Sequence, residues 1–378
     1  MINLRSPYFV IKQAANLVSA GIKIYVHTGT RSTTVVGYQY ELSSDAITPS
    51  SGDPYVVFDI AELARDYIDS TFDGSYNCTA VWVNYELSHT ITTTFATDAV
   101  VRLAGYDGYM YFEEGEQSSV STQTAPNILQ SNTVIYKSDD EVVTIPISQT
   151  DVSEVHFLYD GELINSENIT GTLSLSTNII QYVSNTGASY DTFKARVEAD
   201  SGILEEDALD GVFNDYKTHP CDTILIDAST TGVTKIDVKD ISECKYTPYK
   251  LTFINKFGAL QDLWMFKNSR LSISTQKDEY KSNILDVGSY DTTKHQKKIL
   301  TKNGMETLSM NSGWYPEEYN EVFKQLHLSD SVWINYEDTI LPVNISNQGM
   351  EFKNSVSDKL INNNITVEFA FDKINNIR

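Results

Sequence analysis

Two clusters of carboxylates are the first residues in this sequence that could do chemistry. Glu113 and Glu114 lie in YFEEGE, residues 111–116, and a second cluster, LEEDALD, occupies residues 204–210. Paired carboxylates act as acid and base in glycosidases, where they converge at roughly 5–10 Å, and their oxygens also bind calcium. Adjacent residues of a strand point to opposite faces, so Glu113 and Glu114 are predicted not to share a substrate. We therefore interpret both clusters as solvated acidic surface, with a calcium site as the alternative.

Aromatic side chains form the second group of candidates, because exposed rings can stack on sugars. Tyr109 and Tyr111 lie in YDGYMYF, residues 106–112, and Trp264 lies in the aromatic hairpin KLTFINKFGALQDLWMFKNSR, residues 250–270. Alternate aromatics on a strand also form core faces and cross-strand pairs, and we favour this interpretation. The hairpin is thus predicted to pack within its own domain. Trp264, Tyr109 and Tyr111 are the candidate interface or ligand residues.

No other pattern of reactive residues is present. The six histidines show no metal-binding spacing, and the sequence contains no GxSxG, GxGxxG or phosphate-loop motif. The three cysteines, Cys78, Cys221 and Cys244, lack CxxC spacing, and we predict buried free thiols, with a Cys221–Cys244 bridge as the alternative. The sequence therefore predicts no catalytic residues, no cofactor-binding residues, no metal ligands and no cofactor.

The charge balance limits the class of partner. The 378 residues include 28 Lys and Arg against 51 Asp and Glu, a formal charge of −23. Nucleic acid and anionic lipid both attract basic proteins, so neither is expected as a partner. The N-terminal residues lack the apolar run of a signal peptide, and no window is apolar enough for a membrane span. We expect a soluble chain made in a cytoplasm, with no membrane insertion.

Period-two patterning predicts that most of the chain forms strands. Clear examples are IKIYVHTG (22–29), VVGYQYEL (35–42) and CTAVWVNYEL (78–87), which lie between clusters of Ser, Thr, Gly and Asn. Asp160-Gly161 and Asn303-Gly304 are predicted hairpin turns. The predicted fold is mainly β, with multi-domain β-sandwiches, a few single amphipathic helices and a C-terminal α+β unit.

Three segments have helical periodicity instead. In FDIAELARDYID (58–69), Asp59 is the predicted N-cap, and in YPEEYNEVFKQLHL (315–328), Pro316 is predicted at the first helical position. The third segment is EEDALDGVFNDYK (205–217). The apolar stripe predicted for residues 315–328 comprises Tyr319, Val322, Phe323 and Leu326.

Composition and patterning divide the chain into three predicted domains. An N-terminal β-sandwich covers residues 1–115, and a second β-sandwich covers 116–245, with a helical insertion at about 190–220. A C-terminal α+β domain covers 246–378. Its last strand, in NNITVEFAFDKI, is predicted to pair either within the domain or with a neighbouring protein.

Several segments together resemble a known class of protein. FDIAELARDYID, VWVNYEL, YDGYMYFEEGEQ and LQSNTVIY are similar to segments of large virion proteins of tailed bacteriophages. YDTFKARVEADSGILEEDALDGVFNDY resembles a helical element of phage structural proteins, although Ser201 stands where a glycine is usual. YTPYKLTFINKFGALQDLWMFK and the segment that begins GWYPEEYNEVFKQLHL complete the resemblance, which covers most of the chain.

The resemblance implies a non-enzymatic structural protein of the tail, baseplate, neck or fibre. Its partners would be other virion proteins and copies of itself, and it would reside in the virion after synthesis in the host cytoplasm. No catalytic residues are carried over. Two alternatives stay open: a module that binds a host-surface glycan or receptor, and an enzyme that cleaves polysaccharide.

Overall fold

The computed structural model confirms the prediction of a mainly β protein with several sheets. It describes residues 2–29, 37–77, 80–120, 126–138, 141–148, 152–169, 180–186, 221–228, 232–347, 349–351 and 359–374. The strands are β1 (Ile2–Asn3), β2 (Tyr8–Gln13), β3 (Leu17–Thr28), β4 (Tyr40–Asp45), β5 (Tyr55–Asp59), β6 (Ala80–Ile91), β7 (Thr94–Thr97), β8 (Val101–Tyr106), β9 (Gln117–Ser118), β10 (Val134–Lys137), β11 (Thr144–Ser148), β12 (Val152–Tyr159), β13 (Glu162–Asn168), β14 (Ile180–Ser184), β15 (Thr223–Ala228), β16 (Gly232–Asp240), β17 (Tyr249–Ile254), β18 (Leu260–Met265), β19 (Ser269–Lys281), β20 (Leu285–Asp286), β21 (Ser289–Tyr290), β22 (Lys297–Asn311), β23 (Tyr315–Pro316), β24 (Val332–Tyr336), β25 (Thr339–Ile345), β26 (Leu360–Ile361) and β27 (Asn364–Phe369).

Two α-helices lie in the described residues: α1 (Ala61–Arg65) and α2 (Tyr319–Leu328). Ile60, rather than the predicted Asp59, is the N-cap of α1, although Asp59 Oδ1 accepts hydrogen bonds from the N–H groups of Tyr8 and Ala61. Pro316 pairs in β23 instead of starting α2. The four residues of the predicted stripe of α2 are all buried. The helix predicted at residues 205–217 and the insertion at 190–220 lie outside the described residues.

The chain divides into two compact units. Unit 1 comprises residues 1–241, 253–262 and 321–329, and unit 2 comprises residues 242–252, 263–320 and 330–378. The prediction of three domains stays a prediction.

Unit 1 begins with two sheets around one core. A six-stranded sheet has the order β1-β8-β6-β3-β4, with β7 also paired to β6, and a smaller sheet has the order β5-β2-β9. The period-two pattern predicted for β3 and β6 holds, because Ile22, Ile24, Val81 and Val83 face the shared core. Side chains of β2 and β5 complete this core, so the two sheets form a sandwich.

A second pair of sheets in unit 1 also packs around one core. The order β10-β16-β15-β12-β13 gives a five-stranded sheet, and β11 pairs with β14. Phe157 and Ile224 from the larger sheet share a core with Ile145 and Val183 from the smaller one. The predicted turn between β12 and β13 is confirmed, since Asp160 and Gly161 both have positive φ, of 48° and 81°.

The tip of the β17–β18 hairpin belongs to unit 1. Ala259 and Phe257 pack with Trp82, Tyr106 and Leu129. Gly258 has a φ of 77°, and a Cβ added to it would lie 2.8 Å from the Cβ of Tyr106. The hairpin is largely core, as predicted, but the expectation that it packs only within the C-terminal domain is wrong for its tip, which contacts residues far earlier in the chain.

Unit 2 is organised around a seven-stranded sheet of order β18-β17-β24-β25-β27-β22-β19. Tyr249 stacks on Tyr336, and Tyr336 meets the ring of Phe369 edge to face. The C-terminal strand β27 pairs with β22 and β25, so it pairs inside its own sheet. In the part of the chain that the structure describes, no helix is long and apolar enough to cross a membrane.

Candidate interaction surface

Among the residues that the structure describes, the longest exposed element is a two-stranded ribbon in unit 2. β19 and β22 pair antiparallel from Ser269–Met310 to Lys281–Lys297, and we call residues 269–304 the β-arm. The 13 residues of β19 span about 40 Å at about 3.3 Å per residue. Between residues 269 and 302, every residue is exposed except the half-buried Ser282 and Ile284. The β-arm therefore has no buried face along most of its length.

The outer β-arm, residues 277–302, is not supported by further strands. On its other side, β22 pairs with β27 only from Thr307 onward, and Lys373 N–H donates to the carbonyl of Gly304. Beyond Gly304, no third strand pairs with the ribbon among the residues that the structure describes. A two-stranded hairpin is only marginally stable in water. The outer β-arm is therefore the part of the fold that gains most from a partner.

The β-arm ends in a strained turn. β20 and β21 are joined by Val287 and Gly288, whose φ angles are 45° and 83°. A two-residue turn with positive φ at both positions favours Asn-Gly, because a β-branched residue is sterically disfavoured there. Val287 occupies the first position of this turn, and its side chain is fully exposed, at 103%. Strained residues that persist on a surface are candidates for functional contacts.

One face of the β-arm is rich in lysine. Lys277 lies directly opposite Lys302, and Lys281 lies directly opposite Lys297. Because strand side chains alternate, these four residues share one face, which we call the lysine face. Like charges placed directly opposite are destabilising in a sheet. Glu279 lies on the same face, and the ammonium of Lys277, 2.5 Å away, lowers the pKa of its carboxyl.

Large apolar side chains are interspersed with these charges. Leu271, Ile273 and Ile299 share the lysine face, and Leu300 is the extra residue of a bulge. Tyr280 lies on the opposite face. Three further apolar residues lie at the tip: Leu285, Val287 and Tyr290. Exposed apolar groups concentrated on one element mark interaction sites in soluble proteins.

The β-arm has the opposite charge to the remainder of the chain. Residues 269–304 contain seven Lys and Arg and four Asp and Glu, a net charge of +3. Of the chain's 28 basic and 51 acidic residues, 21 and 47 lie elsewhere, a net charge of −26. A basic ribbon on a strongly acidic protein favours contact with an acidic surface.

The predicted turn at Asn303-Gly304 is wrong, so the sequence did not predict the long pairing of β19 with β22. Both residues lie inside β22, where they pair with Gln276 and Thr275. Gly304 leaves room for Ile273, since an added Cβ would lie 3.1 Å from its Cδ1 atom. The local turn signal is overridden by a ladder of thirteen residue pairs, which no two-residue turn could replace.

Tyr109 and Tyr111 lie together in unit 1, but not as alternating residues of a strand. The chain is irregular after β8 and forms a 3₁₀ turn at Phe112–Glu114. Tyr109 is 8% exposed and meets the ring of Tyr111 edge to face, and burial raises the pKa of its phenol to about 12. Tyr109 is therefore mainly a core residue.

Tyr111 is held by residues far away in sequence. Its hydroxyl donates to Glu321 Oε1 at 2.7 Å, and burial together with this bond raises the pKa of the phenol. The ammonium of Lys324 lies 3.5 Å from its ring centroid and that of Lys256 lies 4.9 Å away. These cation–π contacts use the ring within the protein.

Trp264 is half-buried in β18 of unit 2. The ammonium of Lys250 lies 6.0 Å from its ring centroid, and its carbonyl accepts a hydrogen bond of 2.7 Å from the hydroxyl of Tyr315. Its use in stacking on sugars stays a prediction.

The carboxylate clusters do not form a described acid–base pair. Glu114 accepts hydrogen bonds from Lys256 and from the N–H of Tyr111. Burial opposes ionisation of Glu114, but these bonds and the charges of Lys256 and Lys324 together outweigh burial and lower its pKa. Glu113 is exposed, and residues 204–210 lie outside the described residues. In the described part of the chain, no three His, Cys, Asp or Glu side chains form a group that could hold a metal.

The cysteine prediction holds only in part. Cys221 is a free, buried thiol, and burial raises its pKa to about 12. Cys244 is free but exposed, so the prediction of a buried thiol is wrong there, because it lies in an irregular loop between β16 and β17. Cys78 lies outside the described residues.

Unit 1 carries a groove along the edge strand β4. Its volume is about 490 Å³, and its lining includes Gly21, Ser43 and Ser88, together with Glu41 and Asp45. Phe95, 68% exposed, lies on its border. Glu41 and Asp45 lie on the same face of β4, and their Cα atoms are about 13 Å apart at about 3.3 Å per residue.

Sequence comparison adds no assignment to this geometry. No known protein family matches the chain, and no curated protein is significantly similar to it.

Proposed function

We propose that this chain is a non-enzymatic structural component of a tailed-phage virion, which docks to its neighbours through the β-arm. The observation that carries the proposal is the β-arm itself, an exposed ribbon whose net charge is opposite to that of the remaining chain. The phage setting rests on the resemblance of the sequence segments, and the mode of action rests on the ribbon.

The β-arm is poorly stabilised by contacts within one molecule. A two-stranded ribbon with lysines directly opposite each other is a poor structure in isolation. Its apolar residues and its free strand edges become favourable only when another surface covers them. Extended ribbons that add to a neighbouring sheet gain main-chain hydrogen bonds as well as side-chain contacts. Docking therefore explains features that are costly for an isolated molecule.

The proposal also accounts for the aromatic residues. Tyr111 is occupied by contacts with Glu321, Lys256 and Lys324 inside unit 1, and Tyr109 packs against Tyr111, so both rings support the fold rather than an open stacking platform. The assembly proposal requires no reactive group, only complementary surfaces.

The test is a phage-producing culture in which the chain lacks the outer β-arm. Residues 277–302 are removed, and Gln276 is joined to Asn303 through an Asn-Gly turn. Particles are then separated on a density gradient, and the particle band is quantified by mass spectrometry. We expect the intact chain to sediment with particles and the shortened chain to stay in the soluble fraction while it remains folded.

The matched control is Phe112→Ser, which removes a fully exposed apolar side chain outside the β-arm. It should enter particles at the same level as the unaltered chain. If the shortened chain enters particles normally, or if the intact chain never sediments with them, the proposed function is wrong.

A further inference from the structure

We infer that the β-arm of one molecule docks along strand β4 of a second copy of the same chain, so that β19 extends the six-stranded sheet of unit 1. The inference rests on the proposed function and specifies its partner. Three observations support it: the edge of β4, the groove on the sheet face that carries Glu41 and Asp45, and the spacing of charges on the two strands.

The first observation is the state of the edge. β4 is the last strand of its sheet, and in the described part of the chain it pairs on one side only, with β3. Five of its six residues, YELSSD, are exposed. Natural edge strands are protected by charged side chains, especially lysine, by proline or by bulges; β4 has no lysine, proline or bulge, and its two charges are the carboxylates of Glu41 and Asp45. It is therefore open to addition of another strand.

The second observation is the open groove on the sheet face next to β4, lined by residues of β3, β4, β6 and β7. Gly21 and Ser88 lie opposite each other in β3 and β6, and Ser43 pairs with Gly21 on the β4 side. A Cβ added to Gly21 would lie 3.0 Å from Ser88 Oγ and 3.3 Å from the carbonyl of Leu42. The small residues keep this face of the sheet open across β3, so the side chains of Glu41 and Asp45, which share the face with Ser43, are accessible to a docked strand.

The third observation is the match of charges. Glu41 and Asp45 are four residues apart on β4, and Lys277 and Lys281 are four residues apart on β19. Each pair lies on one face of its strand, at a spacing of about 13 Å for about 3.3 Å per residue. When the two strands pair in register, both lysines therefore lie opposite carboxylates.

The edge position of β19 makes this pairing accessible. β19 is the last strand of the sheet in unit 2, so its outer edge carries main-chain groups that can pair with another strand. In the register described above, Glu279 lies opposite Ser43, so no like charges meet. The contacts of Lys277 with Glu279 and of Lys23 with Glu41 are exposed and can rearrange on docking at little cost.

The net charges favour a protein partner over nucleic acid. Outside the β-arm the chain carries −26, which repels phosphate, whereas a second copy offers the β-arm an acidic surface. Glu41 and Asp45 of β4 belong to this acidic surface, so the contact requires no additional molecule.

The experiment exchanges the charges at the two ends of the contact. One variant carries Lys277→Glu and Lys281→Glu, and the other carries Glu41→Lys and Asp45→Lys. Self-association is measured by analytical ultracentrifugation at about 0.1 M salt, where contact charges are only partly screened. We expect each variant alone to associate at least about tenfold more weakly than the unaltered chain, and a mixture of the two to regain the affinity.

The matched control is Lys294→Glu with Lys298→Glu, which makes the same change in net charge away from the lysine face. It should associate within about threefold of the unaltered chain, because rim charges contribute little to affinity. Circular dichroism and thermal unfolding establish that every variant is folded.

A crosslinking experiment tests the register directly. Ser43→Cys and Glu279→Cys are introduced into separate chains that carry Cys244→Ser, since Cys244 is exposed. Mixed chains should form a disulfide-linked dimer under mild oxidation, whereas chains without the added cysteines give the baseline. No crosslink above this baseline, together with full association of the Lys277→Glu, Lys281→Glu variant, would overturn the inference.

The outcomes separate the two proposals. If the pure chain stays monomeric at all concentrations while removal of the β-arm still prevents entry into particles, the partner is another protein, and the inference fails alone. If the β-arm binds duplex DNA at about 0.1 M salt and the Lys277→Glu, Lys281→Glu variant does not, the partner is nucleic acid, and the inference is wrong. If removal of the β-arm has no effect on particles, the proposed function itself fails.

Discussion

Two hairpins in this chain differ in nearly every physical respect. The β17–β18 hairpin is aromatic, and its tip is buried: Asn255 is 0% exposed and holds the turn together through its amide. Its Nδ2 donates to the carbonyl of Leu129 at 2.7 Å, and its Oδ1 accepts from the N–H groups of Phe257 and Ala259. The β-arm is rich in Lys, Ser and Thr, is longer, and is exposed on both faces.

The comparison shows that apolar content alone does not identify a binding element. The rings and the Asn255 amide at the tip of the aromatic hairpin make contacts within unit 1, so these groups are not exposed to a partner. The β-arm uses its residues poorly for stability, with opposed lysines and a valine in a disfavoured turn. Surface residues that destabilise their own element, such as these lysines and this valine, therefore indicate an interaction site better than an abundance of aromatic residues does.

The sharpest difference concerns the glycines of the two turns. Gly258 and Gly288 both have positive φ, but an added Cβ clashes only at Gly258. We expect Gly258→Ala to destabilise the protein by roughly 2–5 kcal/mol, because backbone strain adds to overpacking against Tyr106. Gly288→Ala should change global unfolding by less than about 0.5 kcal/mol, since the outer β-arm opens independently. Urea unfolding followed by circular dichroism measures both, and equal effects would contradict the comparison.

A slightly smaller difference is expected for the asparagines. Asn255→Ala removes the donors and acceptors that satisfy four buried groups and should cost roughly 2–4 kcal/mol. Asn283→Ala, at the start of the β-arm tip, removes one exposed hydrogen bond to Leu285 N–H and should stay within about 0.5 kcal/mol. The same unfolding curves provide the measurement. A large effect of Asn283→Ala would show that the β-arm supports the fold.

The smallest effect has the opposite sign. Val287→Asn places a residue that tolerates positive φ at the turn and should stabilise the β-arm locally by roughly 0.5–1.5 kcal/mol. Hydrogen exchange followed by mass spectrometry should show increased protection of residues 280–300 and no change elsewhere. If protection there is unchanged or decreases, the valine is not strained in solution.

The strands of unit 1 could be predicted because one of their faces is buried. Burial imposes the alternation of Val81, Val83, Tyr85 and Leu87 in β6, and the short turn at Asp160-Gly161 is a purely local signal. The stripe of α2 is predictable for the same reason. The β-arm has no buried face, so apolar and polar residues alternate only briefly, at Leu271 and Ile273, and the register of β19 is set by its pairing with β22.

The candidate residues were harder to interpret than the strands. The sequence left Tyr111 as a candidate interface or ligand residue, because its partner Glu321 lies 210 residues away and no local pattern predicts that contact. The lysine face could have been found only from the register of β19 and β22, since Lys277 and Lys302 are far apart in sequence but adjacent in space. A single sequence does not show which distant segments pair, or in which register.

The separation of charge between the β-arm and the remaining chain has a consequence for the response to salt. Two whole molecules of charge −23 repel each other over long distances, whereas the lysine face attracts carboxylates only at contact. A Debye length of about 10 Å at 0.1 M salt removes the long-range repulsion first, and higher salt then weakens the contact itself. Association through the β-arm should therefore pass through a maximum at intermediate ionic strength, so that dilution into fresh water and transfer into brine would both release it.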